Sequence, residues 1–122
     1  MSVLVCVTGQ KSCERLIRRG AELTQQGFGP LNVLHVVRTG SSVLGFENEP
    51  EALEYLLRVS VENGASMYVR RSDNVVSAIE VAANNEKVRV IVAGRARNYN
   101  GWDLLDELKL RLPEVQFEIL GQ

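Results

Sequence analysis

The sequence predicts one α/β domain, residues 1–122, in which five parallel strands form a doubly wound, Rossmann-like sheet of order 3-2-1-4-5. Three observations lead to this prediction. Five short apolar runs alternate with four segments of helical spacing, as in repeated β-α-β units with right-handed crossovers. The first and fourth runs, residues 2–9 and 87–94, are the most continuously apolar and are therefore expected at the centre. The third and fifth, residues 65–72 and 115–120, alternate between apolar and polar residues, as edge strands do.

The first strand, "SVLVCVTG", leads into a helix over "KSCERLIRRGAELTQQG", where Gly27 provides the stop. Gly20 lies in the middle of this helix, although glycine disfavours a helix by about 1 kcal/mol relative to alanine. We therefore expect the helix to approach the sheet closely at Gly20.

The second strand, "LNVLHVVR" (31–38), is followed by a loop, "TGSSVLGFENEP". A second helix then begins at Asn48 or Glu49, with Pro50 in its first turn, and ends at Gly64. Its helical spacing is carried by Glu51, Leu53, Leu56, Leu57, Ser60 and Val61.

The second half of the chain repeats this alternation. After the strand "ASMYVRRS", Asp73 is expected to cap a third helix, whose apolar face comprises Val75, Val76, Ile79, Ala82 and Ala83. The strand "KVRVIVAG" is followed by a fourth helix over "GWDLLDELKLRL", which Pro113 ends, and by the final strand "VQFEIL".

Composition bounds the class of protein. The net charge of −1 argues against general nucleic-acid binding, and the apolar runs are far too short to span a bilayer. The start of the chain lacks the basic and long apolar segments of a signal peptide, so we expect a cytoplasmic protein. Cys6 is expected to be a buried apolar side chain, whereas Cys13 lies near a helix start, where a thiol pKa can be lowered.

Basic side chains cluster in the first helix. Arg15, Arg18 and Arg19 share one face because they are three or four positions apart. This face is either an ordinary solvated surface or a surface for an anion or an acidic partner.

In such sheets, ligands bind beyond the carboxyl ends of the strands where the order reverses, here between the first and fourth strands. The loop after the first strand and the start of its helix meet there and comprise Thr8, Gly9, Gln10, Lys11 and Ser12. The free N–H groups of a helix start suit an anion, and Lys11 adds charge. The alternative is that Gly9 only makes the turn and Ser12 only caps the helix. The segment is not a P-loop, since the upstream glycine of that motif is missing.

The loop after the fourth strand, "VAGRARNYNGWD", is ambiguous. Gly94, Arg95 and Arg97 supply a turn and two cations for an anion. If Asn100 caps the fourth helix, Asp103 lies in its first turn and repels a phosphate there. The arginines remain able to approach an anion from the side.

No nucleophile, base and orienting group form a recognisable catalytic set, which argues against an enzyme. One histidine and two cysteines complete no metal-binding pattern. His35, inside the second strand, is interpreted as a core residue.

The segments "VLVCVTGQKSCERLIRRGAEL", "LNVLHVV" and "VIVAG" together resemble the universal stress protein family over nearly the whole chain. "LIRRGAEL" and "GRAR" are most similar to the version found in Kdp-type potassium sensor kinases, of which this chain is expected to be a free-standing relative. The resemblance implies an adenine-nucleotide α-hydrolase-like fold, commonly dimeric.

The resemblance also implies a ligand site. Adenosine contacts carry over to Thr8, Gly9, Val36, Ala93 and Gly94. ATP-binding members have Asp where this chain has Thr8, and Gly-x2-Gly-x9-Gly-[Ser/Thr] where it matches only Gly94. Some members of the Kdp-sensor branch bind cyclic di-AMP through Ser-x-Ser, of which Ser12 alone is kept.

Three functions follow as hypotheses. The first is a non-enzymatic regulatory module, a homodimer that senses ATP, AMP, cyclic di-AMP or another small anion, or that binds a signalling protein. The second is a ligand-free dimeric interaction module, favoured because the edge strand "VQFEIL" lacks the Pro and Lys that discourage strand pairing. The third is a nucleotide hydrolase, which the missing Asp and glycines disfavour.

Overall fold

The computed structural model describes residues 1–7, 10–40, 43–45, 48–94 and 104–121, and these form one parallel sheet flanked by helices. The order of the sheet is β3-β2-β1-β4-β5, which confirms the order expected from the sequence. Every neighbouring pair of strands is parallel. The elements are β1 (Ser2–Val7), α1 (Gln10–Leu23), a π-helical turn (Thr24–Phe28), β2 (Leu31–Val37), a 3-10 turn (Val43–Gly45), α2 (Glu49–Glu62), β3 (Ser66–Arg71), α3 (Val75–Asn85), β4 (Val88–Gly94), α4 (Leu104–Arg111) and β5 (Gln116–Leu120).

Two apolar cores lie on opposite faces of the sheet. On one face, Val3, Val5 and Val7 of β1 pack with α1 and α2. On the other face, Leu4 and Cys6 pack with α3 and α4. All six residues of β1 are buried, which explains why its sequence is continuously apolar rather than alternating.

Gly20 lies where α1 meets the sheet, as its position in the middle of a helix predicts. A Cβ atom at residue 20 would overlap Val5 Cγ2 and would lie 2.7 Å from Leu31 Cδ1. The absence of a side chain therefore lets α1 approach β1 and β2 closely, which confirms the expected compensation for the poor helix propensity of glycine.

The predicted cap of α2 is correct, whereas the predicted cap of α3 is wrong. The Asn48 side chain accepts a hydrogen bond from the Glu51 N–H (3.1 Å), as a helix cap does. The cap of α3 is Asn74, which accepts from the Ser77 N–H (3.0 Å), and not the predicted Asp73. Asp73 instead accepts from the Thr39 N–H (3.2 Å) and so joins the loop after β2 to the start of α3.

The exposed side of α2 carries an apolar row. Leu53, Leu57 and Val61 recur every four residues and are 36%, 48% and 63% exposed. The helix instead buries Ala52, Leu56, Val59 and Ser60 against the sheet and its neighbours. We call Leu53, Leu57 and Val61 the α2 row.

Both cysteines are buried, and no disulfide joins them. Burial raises the pKa of Cys6 to about 12. Burial and the charge of Glu14 raise the pKa of Cys13 to about 11, so the expectation of a lowered pKa near a helix start is wrong. Cys13 lies on the core-facing side of α1, and its thiol is not poised for redox sensing.

Within the described part of the chain, no helix is long and apolar enough to cross a membrane.

Candidate functional site

The predicted ligand edge is formed where β1 and β4 end side by side. Cys6 of β1 lies opposite Ala93 of β4, so Val7 and Gly94 end at the same edge of the sheet. The helix α1 begins at Gln10, only a few residues beyond Val7. This is the reversal of strand order at which ligands bind in open α/β sheets.

The structure describes only part of the predicted residue set, and the roles of these residues in ligand binding stay predictions. Gln10, Lys11 and Ser12 lie in the first turn of α1, and Val36, Ala93 and Gly94 lie in the strands. The predictions for Thr8, Gly9, Arg95, Arg97, Asn100 and Asp103 lie outside the described residues.

Val36 and Ala93 flank β1 from its two sides. His35 of β2 pairs with Val7, so Val36 lies one position beyond the described end of β1. Both Val36 and Ala93 pack with the core on the α3 and α4 face of the sheet. The structure therefore places these two apolar side chains on one face, on either side of β1, where the resemblance implies adenosine contacts.

Gly94 has space beside it among the described residues. Its φ is not in the left-handed region, and of the described side chains a Cβ atom there would meet only Leu16 Cδ1 at 3.8 Å, an ordinary contact. It is also the last paired residue of β4, opposite Leu120, and not a turn residue as the sequence indicated. Neither the backbone conformation nor the packing of the described residues requires glycine at this position.

The starts of α1 and α4 differ in charge. The first turn of α1 contains no acidic residue, whereas the first turn of α4 contains Asp106 and Glu107. An anion is stabilised by the positive end of a helix dipole and repelled by carboxylates beside it. Of these two helix starts, that of α1 is therefore the better anion site.

His35 connects the ends of the strands to the 3-10 turn. The Leu44 N–H donates to His35 Nε2 (2.9 Å), so Nδ1 carries the proton and donates to the Val7 carbonyl (2.8 Å). Burial lowers the pKa of His35, which keeps the ring neutral. The prediction that His35 is a core residue is confirmed, since it is 3% exposed.

The role of His35 in holding the 3-10 turn is not predictable from the sequence alone. Leu44 is buried with a φ of +53°, a conformation that non-glycine residues rarely adopt, and it is held there through the imidazole. The feature of the sequence that points to this role is a single histidine near the carboxyl end of an apolar strand.

The basic face of α1 is largely neutralised within the chain. Arg18 lies 3.6 Å from the Glu14 carboxylate, and Arg19 lies 2.8 Å from Glu118 of β5 and 3.4 Å from Glu22. For Arg18 and Arg19, these contacts favour the interpretation as an ordinary protein surface over a surface for a ligand anion.

A cavity of about 380 Å³ lies elsewhere, between α3 and the edge strand β3. Tyr68 and Arg70 of β3 line it, with the Arg70 guanidinium 5.5 Å from the centre of the Tyr68 ring. The cavity was not predicted from the sequence, although the two-residue spacing of Tyr68 and Arg70 places them on one face of the strand. The cavity does not include the ends of β1 and β4.

Comparison with known sequences identifies a relative of the Kdp-sensor type that the resemblance indicated. No protein-family model matches the chain. The chain is 32% identical over 127 residues to the putative sensor protein KdpD of Synechocystis sp., an alignment covering 98% of this chain and 33% of the relative. The chain thus spans about a third of that protein.

Comparison with solved structures identifies the fold. A structure of the universal stress protein from Archaeoglobus fulgidus matches 99% of this chain and 92% of its own, with a TM-score of 0.66 and 17% identity. The universal stress protein from Archaeoglobus fulgidus in complex with dAMP matches 99% of this chain and 96% of its own, with a TM-score of 0.62 and 16% identity. A universal stress protein in complex with cAMP matches 98% of this chain and 96% of its own, with a TM-score of 0.67 and 15% identity. The chain therefore has the universal stress protein fold, and the resemblance to that family and to Kdp-type sensors is confirmed.

Proposed function

We propose that this chain, which has the universal stress protein fold, is a non-catalytic regulatory module that binds an adenine nucleotide at the edge where β1 and β4 end. The observation that carries the proposal is the pairing of an apolar surface with an anion site. Val36 and Ala93 flank β1 on one face, and the start of α1 bears no acidic residue. An adenosine needs the first of these features and a phosphate needs the second.

A nucleoside monophosphate is the ligand class that fits best. The neighbouring structures with cAMP and dAMP are complexes of an adenine base with one phosphate. The sequence departs from the ATP-binding pattern at Thr8 and retains one of its glycines, Gly94. We therefore rank AMP and cAMP above ATP and cyclic di-AMP. The sensor relative supports a regulatory role, in which ligand binding to this module changes its association with another protein.

A thermal-shift titration against AMP, cAMP, ATP, cyclic di-AMP and inorganic phosphate tests the proposal. A ligand at a hundred times its dissociation constant stabilises the native state by about 2.7 kcal/mol, which raises the unfolding midpoint measurably. We expect this response with AMP or cAMP. If none of the five compounds raises the unfolding midpoint at millimolar concentration, the proposed nucleotide-binding function is wrong.

The Gly94→Ala variant separates binding from folding. Because the new Cβ atom meets, among the described residues, only Leu16 Cδ1 at 3.8 Å, we expect a free energy of unfolding equal to that of the wild type or up to about 1 kcal/mol higher. If the open space beside Gly94 receives the ligand, the dissociation constant for AMP rises about tenfold, equivalent to about 1.4 kcal/mol. Isothermal titration calorimetry measures this change.

Gly121→Ala makes the same chemical change one residue beyond Leu120, which pairs with Gly94, and a Cβ atom at residue 121 meets none of the described residues within 4 Å. It therefore controls for the added methyl group at a neighbouring position, just beyond β5. Unchanged AMP affinity in Gly94→Ala would show that the ligand does not approach β4 at this position.

A ligand-free interaction module remains the second candidate function. The α2 row favours it, because exposed apolar side chains in a continuous row are typical of contact surfaces. The two functions are compatible, and the oligomeric state is measured independently of nucleotide binding.

A further inference from the structure

We propose that the cavity between α3 and β3 is a second small-molecule site, which takes an organic carboxylate with an aromatic body. Arg70 holds the carboxylate, and the aromatic body lies on the apolar floor of the cavity. This site is separate from the proposed nucleotide site, because Val36, Ala93 and Gly94 do not line the cavity.

The cavity exists because α3 leaves part of the outer strand uncovered. The helix α3 packs against β2, β4 and α4 more closely than against β3. The gap that results between α3 and β3 has a volume of about 380 Å³. Small organic ligands usually occupy cavities of about 300–1,000 Å³, so the gap is large enough for a compound of one or two rings.

The floor and one wall of the cavity are apolar. Leu4 of β1 and Leu34 of β2 form the floor, and Ala78, Val81 and Ala82 of α3 form the wall. Val81 is apolar but 55% exposed. An aromatic body on this surface removes part of the Val81 side chain from water, which favours binding.

The opposite wall supplies an aromatic ring and a cation. Tyr68 lies beside Leu34 of β2 on the α3 face of the sheet, and Arg70 follows two positions later on the same face. The Arg70 guanidinium lies 5.5 Å from the centre of the Tyr68 ring and donates one hydrogen bond, to the Val69 carbonyl (3.1 Å). A guanidinium has five N–H donors, so Arg70 can donate further hydrogen bonds to a ligand.

The other charged residues of the lining select a single negative charge. Arg71 lines the cavity but forms an ion pair with Glu49 of α2, whereas Arg70 forms no ion pair within the described part of the chain. Glu86 also lines the cavity and repels a second negative charge. One guanidinium matches one carboxylate, with which it can form two parallel hydrogen bonds. A monoanion therefore fits this cavity better than a dianionic phosphate ester.

The positions of these charges set the orientation of the ligand. Arg70 lies near the carboxyl end of β3. Glu86 follows α3 and lies near the amino end of β1, since the Ser2 hydroxyl donates to the Glu86 carbonyl (2.7 Å). At the Arg70 end, the Ser72 hydroxyl already accepts from the Asn74 N–H (3.1 Å). Recognition of the carboxylate therefore depends on Arg70, and the aromatic body extends along α3 away from it.

An NMR titration of the ¹⁵N-labelled full chain tests the proposal with 1-naphthylacetate and its neutral counterpart, 1-naphthylacetamide. The two compounds have the same shape and differ in charge. We expect a dissociation constant of about 1 mM or lower for the carboxylate, with the largest chemical-shift changes in β3 and α3. Because Arg70 is exposed, we expect the amide to bind only about fivefold more weakly. The absence of saturable shifts up to about 10 mM, or equal affinity for the two compounds, would overturn the proposal.

Arg70→Gln tests the carboxylate contact, and Arg58→Gln is its matched control. The Arg58 guanidinium also lies 5.5 Å from the centre of a tyrosine ring, that of Tyr55, but Arg58 does not line the cavity. We expect Arg70→Gln to bind the carboxylate and the amide equally and Arg58→Gln to keep the fivefold difference, approximately, of the wild type. A preference that persists in Arg70→Gln, or that both variants lose, would contradict the role of Arg70.

Ala78→Leu tests the location of the aromatic body. Leucine is nearly as favourable as alanine in a helix, and Ala78 is half-buried on the wall of the cavity. We expect both compounds to bind at least about tenfold more weakly, with an unchanged far-ultraviolet circular dichroism spectrum. Unchanged affinity in this folded variant would place the compounds elsewhere. Displacement of 1-naphthylacetate by millimolar AMP would show that the two ligands share one site and would equally overturn the proposal.

Discussion

Replacing Gly20 with alanine is expected to destabilise the folded state by about 1–3 kcal/mol, although alanine is favoured over glycine in a helix by about 1 kcal/mol. The added Cβ atom would overlap Val5 Cγ2 and lie 2.7 Å from Leu31 Cδ1. Both of these side chains are in the core, on adjacent strands, so neither can move without disturbing its neighbours. The helix α1 must therefore shift away from the sheet.

Chemical denaturation of Gly20→Ala measures this loss, and Gly94→Ala is the matched control. The two variants make the same chemical change, but at Gly94 the new atom meets only an ordinary contact within the part of the chain that the structure describes. We expect a lower denaturation midpoint for Gly20→Ala alone. A midpoint for Gly20→Ala at or above that of the wild type would show that α1 does not lie as close to β1 and β2 as described.

Gly20 also shows why the sequence predicted so much of the fold. A helix with charges on one side and a glycine on the other, next to a wholly apolar strand, leaves few ways to bury its apolar face. The same reasoning placed β1 and β4 at the centre and β3 and β5 at the edges, which the sheet confirms. Hydrophobic periodicity indicates which segments form helices and strands and which strands are central. This follows because the burial of apolar surface is the dominant favourable term in folding.

Choices between adjacent residues of similar chemistry could not be made from the sequence. Asp73 and Asn74 both suit a helix cap, and the structure uses Asn74 because its side chain reaches the Ser77 N–H. Likewise, proximity of Cys13 to a helix start indicated a lowered pKa, but the side chain turns into the core, where burial raises it. These outcomes depend on side-chain direction, which a pattern of residue types does not record.

The position of the candidate site stays a prediction from the sequence, whereas the contacts that support this edge of the sheet could not be predicted from it. The point where the strand order reverses is predicted from how continuously apolar each strand is. The family resemblance gives Val36 and Ala93, which lie on the two sides of β1 in the structure. The hydrogen bonds of His35 to Val7 and Leu44 are contacts between distant segments of chain. The left-handed conformation of Leu44 is equally invisible in its sequence, where the preceding and following residues mark only a loop.

The His35→Leu variant is expected to lower the free energy of unfolding at pH 7.5 by about 2–4 kcal/mol, because it removes both hydrogen bonds of the imidazole. The Leu44 N–H and one interaction of the Val7 carbonyl would then be buried without the partner that the ring provides. Leucine fills a similar volume, so the loss reports the hydrogen bonds more than the packing.

The pH dependence of stability identifies the same residue from the wild-type protein. The unfolded imidazole titrates near its ordinary pKa of about 6.5, and burial lowers the pKa in the folded state. As the pH falls below about 6.5, the unfolded state binds more protons than the folded state, so stability decreases by at most about 1.4 kcal/mol per pH unit. A protonated Nε2 would also face the Leu44 N–H as a second donor, and that hydrogen bond would be lost.

His35 is the single histidine of the chain, so a denaturation series between pH 7.5 and 5.5 isolates its contribution from carboxylates, which ordinarily titrate about two units lower. We expect wild-type stability to fall across this range, His35→Leu to remain nearly constant, and the difference between them to narrow as the pH falls. Equal slopes for the two proteins would show that the imidazole does not hold Val7 and Leu44 together in its neutral form. The hydrogen bonds of His35 to Val7 and Leu44 lie beside the edge where β1 ends. The same pH series with AMP bound would therefore show whether the affinity for AMP depends on the 3-10 turn that contains Leu44.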